Sequence, residues 1–145
     1  MILGIIQARM GSTRLPGKVM IEINDKPIIK IIYDRLSTSK LLSKIVIATG
    51  PIKKNKKLIE YMKKEKIEFF CGSENDVLER YVETAKYYNA KEVVRITSDC
   101  PFTDPMLVDK IIDEHLKSKN DYTSNIDPAT FPDGLDIEVF NFDAL

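Results

Sequence analysis

The chain has 145 residues, 43% of them hydrophobic, and its 22 basic side chains equal its 22 acidic ones, so the formal net charge at pH 7 is zero. A globular chain of this length buries roughly 68–70% of its unfolded surface, enough for one domain with a real core. The balanced charge excludes a global field that would draw the protein onto nucleic acid or an anionic membrane, and no apolar stretch approaches the roughly 20 residues of a membrane span, so a cytoplasmic protein with locally recognised partners is expected.

The first element, the apolar run Ile2 to Ile6, is read as a buried strand and is too short for a secretory signal. Directly behind it lies Ala8 to Lys18, A-R-M-G-S-T-R-L-P-G-K, which reads as a phosphate-gripping loop. A loop leaving such a strand opens at the carboxyl edge of an α/β sheet, where ligands bind. Gly11 and Gly17 permit close backbone approach, Ser12 and Thr13 add hydroxyls, and successive amides can form an anion nest. Arg9, Arg14 and Lys18 add positive charge, and the arginines suit two-pronged phosphate recognition. Pro16 limits the loop's freedom. The P-loop pattern is excluded, because Gly11 and Gly17 stand one residue too far apart and Val19 follows Lys18; a G-x-G-x-x-G triplet is absent.

Val19, Ile21 and Ile23 alternate with polar residues up to Asn24-Asp25, predicting a short extended segment before a helix from Pro27 to near Ser37. Ile28, Ile29, Ile31, Ile32 and Leu36 make that helix apolar nearly all round, so context must hold it. Ile45 to Ala48 is the second strand, Gly50-Pro51 a break, and Asn55 to Lys66 a helix with Leu58, Ile59 and Met62 on one face. The lysines from 53 to 66 read as that helix's solvated side, because Glu60 and Glu65 interrupt them and aromatic interleaving is lacking. Ile67 to Cys71 is the third strand, and Asn75 or Asp76 caps a helix carrying Val77, Leu78, Tyr81, Val82 and Ala85 at helical spacing. Tyr81, Tyr87 and Tyr88 are expected to be packing residues.

Val93 to Ile96 is the fourth strand, and Asp104-Pro105 supplies the cap and first position of a helix to about Ser118. His115, the only histidine, falls among Asp113, Glu114 and Lys117 and is expected at the surface. Asp121 to Ser124 and Leu135 to Phe140 complete the strands. Cys71 and Cys100 belong to no C-x-x-C pair and are expected to be reduced thiols. The alternation predicts an α/β, Rossmann-like fold with a mainly parallel sheet and helices on both faces. Its loops at Ala8 to Lys18, Gly72 to Asp76 and Thr97 to Asp104 then converge on one edge. There Asp99 is placed to hold Mg²⁺ against nucleotide phosphates, or else orders its turn before Pro101.

The Ala8 to Lys18 stretch resembles the signature loop of nucleotidyltransferases that activate sugars, most closely the cytidylyltransferase-like proteins of spore-coat polysaccharide biosynthesis. Relatives in that superfamily make CMP-linked sugar acids. The likeness continues in Gly72 to Arg80 (G-S-E-N-D-V-L-E-R), Arg95 to Pro105 (R-I-T-S-D-C-P-F-T-D-P) and Phe131 to Phe140 (F-P-D-G-L-D-I-E-V-F). It implies a fold of the nucleotide-diphospho-sugar transferase type, with Ala8, Arg9, Gly11, Ser12, Arg14, Lys18, Ser73 and Asp76 binding nucleotide. Mg²⁺ would sit at Asp99, and Arg14 and Lys18 would act in catalysis. Ser73 and Asp76 equally suit helix capping. By resemblance Asp133, Asp136 and Glu138 face the sugar, whereas the alternation of Leu135, Ile137 and Val139 equally fits an ordinary strand with wet polar residues.

The reaction implied is in-line attack by a sugar acid's hydroxyl, or by a sugar phosphate, on the α-phosphate of CTP, with pyrophosphate leaving. Expected partners are CTP and that acceptor, with no nucleic acid or membrane, and a homodimer as among relatives. Relatives also carry a later strand with a second metal-binding aspartate in a V-D-T-P-like motif absent here. Residues 1–145 are therefore expected to be the N-terminal portion of a nucleotidyltransferase domain. Two other readings are open: a glycosyltransferase using a nucleotide-sugar donor, for which Asp136-Ile137-Glu138 approximates D-x-D, and a nucleotide-binding protein without catalysis. No general base stands out, and CTP is not distinguished from UTP.

Overall fold

The apolar amino-terminal run becomes the central strand of the sheet in the computed structural model, which describes residues 1–145. In chain order the elements are β1 (Ile2–Gln7), a small hairpin of β2 (Glu22–Ile23) and β3 (Lys26–Pro27), α1 (Ile28–Leu36), β4 (Lys44–Thr49) and α2 (Ile52–Lys64). There follow β5 (Phe69–Cys71), α3 (Val77–Tyr87), β6 (Glu92–Thr97), α4 (Pro105–Ser118), β7 (Tyr122–Ser124) and β8 (Glu138–Asn141). The six-stranded sheet has the order β5-β4-β1-β6-β8-β7. The first four of these run parallel, and β8 is antiparallel to both β6 and β7.

From β1 the chain steps outward to β4 and β5, then returns to place β6 on β1's other side. That reversal leaves a crevice beyond the carboxyl ends of β1 and β6, where Gln7 stands in register with Thr97. Side chains along the central strands alternate between two cores. Ile6, Ile47, Val94 and Ile96 join α1, α2 and α4, while Leu3, Ile5, Val46 and Val93 join α3. Each fully buried aliphatic side chain contributes about 1.5–3 kcal/mol, and these layers outweigh the poor helix propensity of the isoleucines in α1, whose Ile29, Ile32 and Leu36 are fully buried. Asp76 caps α3 by accepting from the Glu79 amide at 2.8 Å, and Asp104 caps α4 by accepting from the Met106 amide at 2.8 Å. No helix is long and apolar enough to cross a membrane.

Several local expectations are corrected. The segment after Lys18 is a 3-10 turn over Lys18–Met20 followed by the β2–β3 hairpin, because Asn24 and Asp25 take φ of 50° and 60° and make a primed turn. Only Val19 of the three alternating residues is buried. Helix α2 starts at Ile52, ahead of Asn55, whose own dihedrals (φ −120°, ψ 22°) interrupt it. Ladder pairing of β8 starts at Glu138 because the Asn125 side chain takes the place of a strand beside Leu135–Ile137: its Nδ2 donates to the Leu135 carbonyl and its Oδ1 accepts from the Ile137 amide, both at 2.8 Å. On α3 Leu78 is exposed and Arg80 fully buried. Tyr87 is 70% exposed, although its ring packs against Phe70 and Tyr88.

His115 is not at the surface. Only 1% exposed, it follows Val108, Ile111 and Ile112 on the buried face of α4, a spacing that outranks the polarity of its sequence neighbours. Its Nδ1 lies 2.9 Å from Thr123 Oγ1, and its Nε2 lies 3.2 Å from Glu92 Oε2 and 3.0 Å from Asn141 Oδ1. This network joins α4 to β6, β7 and β8 at the start of β6, the end of the sheet away from the crevice.

Candidate active site

The loop after β1 folds back on its own backbone. Ala8 continues the ladder by donating to Ala48 and buries its methyl group, so it shapes the loop's base and does not face the crevice. The Met10 carbonyl then accepts from the Ser12 amide at 3.0 Å and from the Gly17 amide at 2.9 Å. Gly17 closes this lobe with φ of 70°, a conformation that favours glycine. Ser12 Oγ braces the lobe by accepting from the Leu15 amide at 3.2 Å. The amides of Gly11, Thr13 and Arg14 donate to no backbone carbonyl, which leaves them available to an anion.

A cavity of about 240 Å³ opens where β1 and β6 end, and none of its lining residues is hydrophobic. Arg9, Ser12, Thr13, Arg14 and Lys18 come from the loop, Gln7 from β1, and Arg95, Thr97, Ser98 and Asp99 from β6 and the turn after it. Four cations thus face one carboxylate. Lys18 Nζ sits 2.5 Å from Asp99 Oδ2, and this hydrogen bond is the largest influence holding the Asp99 carboxyl below the usual carboxylate range. A lowered folded-state pKa gives stability that is present above the ordinary carboxylate value of about 4 and is lost as pH falls through the lower folded value. Wild type should therefore melt slightly above Asp99→Asn at pH 7, the gap closing as pH drops below about 4 in thermal scans. The gap is small because the pair is partly exposed.

The second loop meets the first from the other side. Ser73 Oγ accepts from the Asp76 amide at 3.1 Å, so both side chains serve as turn and helix caps, and neither lines the cavity. The contact instead falls to Glu74, whose carbonyl accepts from the Arg9 guanidinium at 3.2 Å. Its carboxylate packs on Gly50, where an added Cβ would overlap it and lie 2.9 Å from Asn55 Nδ2. Gly50→Ala should expel the Glu74 carboxylate and lose its charge-assisted hydrogen bond from Asn55, about 1.5 kcal/mol or roughly tenfold in the affinity of the cavity for a polyanion, as read by calorimetry. Unchanged affinity would mean that Glu74 seating is irrelevant to the site.

A second cavity of about 550 Å³ shares Thr97 and Asp99 with the first and continues to Phe102, Asp133 and Asp136. Asp133 and Asp136 thus line a cavity that Asp99 shares, but Glu138 does not. Glu138 stands opposite Arg95 in the β6–β8 register, forms an ion pair with it, and accepts from Tyr122 Oη at 2.7 Å. It reaches the first cavity only through Arg95. Cys100, which also lines the second cavity, has its thiol pKa pushed up by burial; it and Cys71 are free.

Nowhere do three His, Cys, Asp or Glu side chains gather to cage a metal ion. One ionised carboxylate beside the Thr97 and Ser98 hydroxyls does fit Mg²⁺ that arrives with phosphate oxygens and keeps waters, since that ion typically takes only one or two carboxylates. Gln7, Arg95, Thr97 and Ser98 were not singled out from the sequence. Their signal was position, since Gln7 and Thr97 end β1 and β6, Ser98 follows β6, and Arg95 lies two residues before the end of β6, near the edge already marked by Asp99.

A family model described as cytidylyltransferase matches residues 3–144. The chain is 37% identical to the spore coat polysaccharide biosynthesis protein SpsF of Bacillus subtilis, over 99% of this chain and 60% of that protein. It is 29% identical to the 3-deoxy-manno-octulosonate cytidylyltransferase of Geobacter metallireducens, over 77% of this chain and 43% of that one. A solved cytidylyltransferase from Leptospira borgpetersenii superimposes with a TM-score of 0.92 at 38% identity, covering 98% of this chain and 60% of the other. The chain spans 60% or less of the length of each of these relatives.

Proposed function

The chain belongs to the cytidylyltransferase family, and on that premise we propose that residues 1–145 carry the nucleotide half of an enzyme that moves CMP from CTP to a sugar acid, releasing pyrophosphate. The observation that carries this reading is the cavity between β1 and β6, where Arg9, Arg14, Lys18 and Arg95 face Asp99 without any hydrophobic neighbour. A crevice of that make-up suits a polyanion, and the strand reversal places it where α/β sheets bind ligands. We further propose that the product serves polysaccharide biosynthesis, the role that the SpsF relative's name carries.

In this reading the free amides of Gly11, Thr13 and Arg14 hold the β- and γ-phosphates, and the Arg14 guanidinium adds a planar two-pronged contact. Lys18 exchanges Asp99 for a phosphate oxygen as the nucleotide enters, so one cation first keeps the carboxylate ionised and then stabilises charge on the leaving pyrophosphate. Asp99 would hold Mg²⁺, which when bound together with phosphate oxygens supplies charge neutralisation at the transferring phosphoryl group. Thr97 and Asp99 line both cavities, so an acceptor in the second one lies next to the phosphates, with Asp133 and Asp136 available to accept hydrogen bonds from sugar hydroxyls.

The test is a pyrophosphate-release assay with CTP and 3-deoxy-manno-octulosonate as probe acceptor. Release that requires both compounds and a divalent cation is expected. Hydrolysis of a nucleotide sugar with no pyrophosphate produced from CTP would overturn the reading in favour of glycosyl transfer.

A further inference from the structure

Helix α2 buries three apolar residues, Leu58, Ile59 and Met62, and one polar one, Asn55, which is 0% exposed. Burying an amide is unfavourable unless its hydrogen bonds are made, and here they are made to two different loops. Oδ1 accepts from the Met10 amide at 2.8 Å, while Nδ2 donates to the Pro51 carbonyl at 3.1 Å and to Glu74 Oε2 at 3.3 Å. Met10 is the residue whose carbonyl closes the phosphate lobe on Ser12 and Gly17. Glu74 is the residue whose carbonyl holds Arg9. The two loops are therefore joined twice, at the rim by Arg9 and underneath by Asn55. The Asn55 primary amide can accept from the one and donate to the other at the same time, and Gly50 leaves the room for the Glu74 carboxylate to meet it.

The geometry points to Asn55 as a positioning residue that sets the phosphate loop and the Gly72–Asp76 loop in a single register, so that both walls of the nucleotide site are fixed together. The importance of this register for nucleotide affinity rests on the function proposed above. The coupling itself is a property of the ligand-free chain.

Asn55→Asp keeps an acceptor for the Met10 amide but sets a carboxylate against that of Glu74. Adding Glu74→Gln removes the repulsion and returns a donor to the pair. By calorimetry, Asn55→Asp is expected to lose about tenfold in CTP affinity, and the double variant to recover most of it. Amide hydrogen exchange without nucleotide gives an independent reading: Asn55→Ala should speed exchange in residues 8–18 and 72–76 together, with β1 and β4 still protected. Faster exchange in only one loop, uniform loss of protection across the sheet, or failure of Glu74→Gln to rescue would overturn the coupling. If wild type bound no nucleoside triphosphate, the functional reading would fall while the exchange pattern still decided the role of Asn55.

Discussion

Lys18→Met is expected to weaken CTP binding about a hundredfold, with the melting temperature within a few degrees of wild type. Two effects add. The variant loses a charge-assisted hydrogen bond to phosphate, of about 1.5–3 kcal/mol, and it leaves three cations instead of four to offset the Asp99 carboxylate toward an incoming polyanion. Together about 3 kcal/mol is lost, which is the hundredfold. Lys18→Arg keeps the charge but not the compact ammonium that fits beside Asp99, and should fall between the two. Calorimetric titration checks the series. Wild-type affinity in Lys18→Met would remove Lys18 from the phosphate site.

His115→Leu should produce the reverse pattern, a loss of about 3 kcal/mol in unfolding free energy with nucleotide affinity unchanged within a factor of two. The imidazole is the shared partner of Thr123, Glu92 and Asn141, which come from β7, β6 and β8. Leucine would preserve volume but leave the Glu92 carboxylate and the Asn141 amide facing an apolar group. Since Glu92 begins β6 and the crevice lies past its end, the damage stays remote from bound nucleotide. Urea unfolding of the two proteins checks the first half and calorimetry the second. Equal unfolding free energies would mean that the network is dispensable.

What the chain disclosed in advance was mostly local or periodic. The run Ile2–Ile6 could only be a buried strand, and a loop of glycines, hydroxyls and arginines behind it had few other uses. Asp99 marked the partner edge through its place after β6, and the parallel order followed from repeated strand–helix alternation. The residues whose partners stayed hidden depend on chain distant in sequence. Asn55 is an unremarkable residue at the head of a lysine-rich helix until Met10 and Glu74 are brought to it, from 45 and 19 residues away. Glu138 belongs to Arg95 because of a cross-strand register that no local pattern encodes. His115 differs in kind, because Val108, Ile111 and Ile112 already predicted its face, and reading its polar neighbours instead obscured the spacing. For Ser73 and Asp76 the local capping chemistry accounts for both side chains, while the loop's contact with Arg9 runs through the backbone of Glu74.

Whether the crevice between β1 and β6 is a cytidine nucleotide site can be read from backbone amide chemical shifts during a titration with CTP, with UTP and ATP run alongside, each with and without Mg²⁺. Shifts confined to residues 9–18, 72–76 and 95–99, largest for CTP, strengthened by Mg²⁺ and deprived of that strengthening by Asp99→Asn, are the predicted result. A folded chain whose amides in these segments do not respond to CTP, or whose shifts centre on the lysine face of α2, would contradict it.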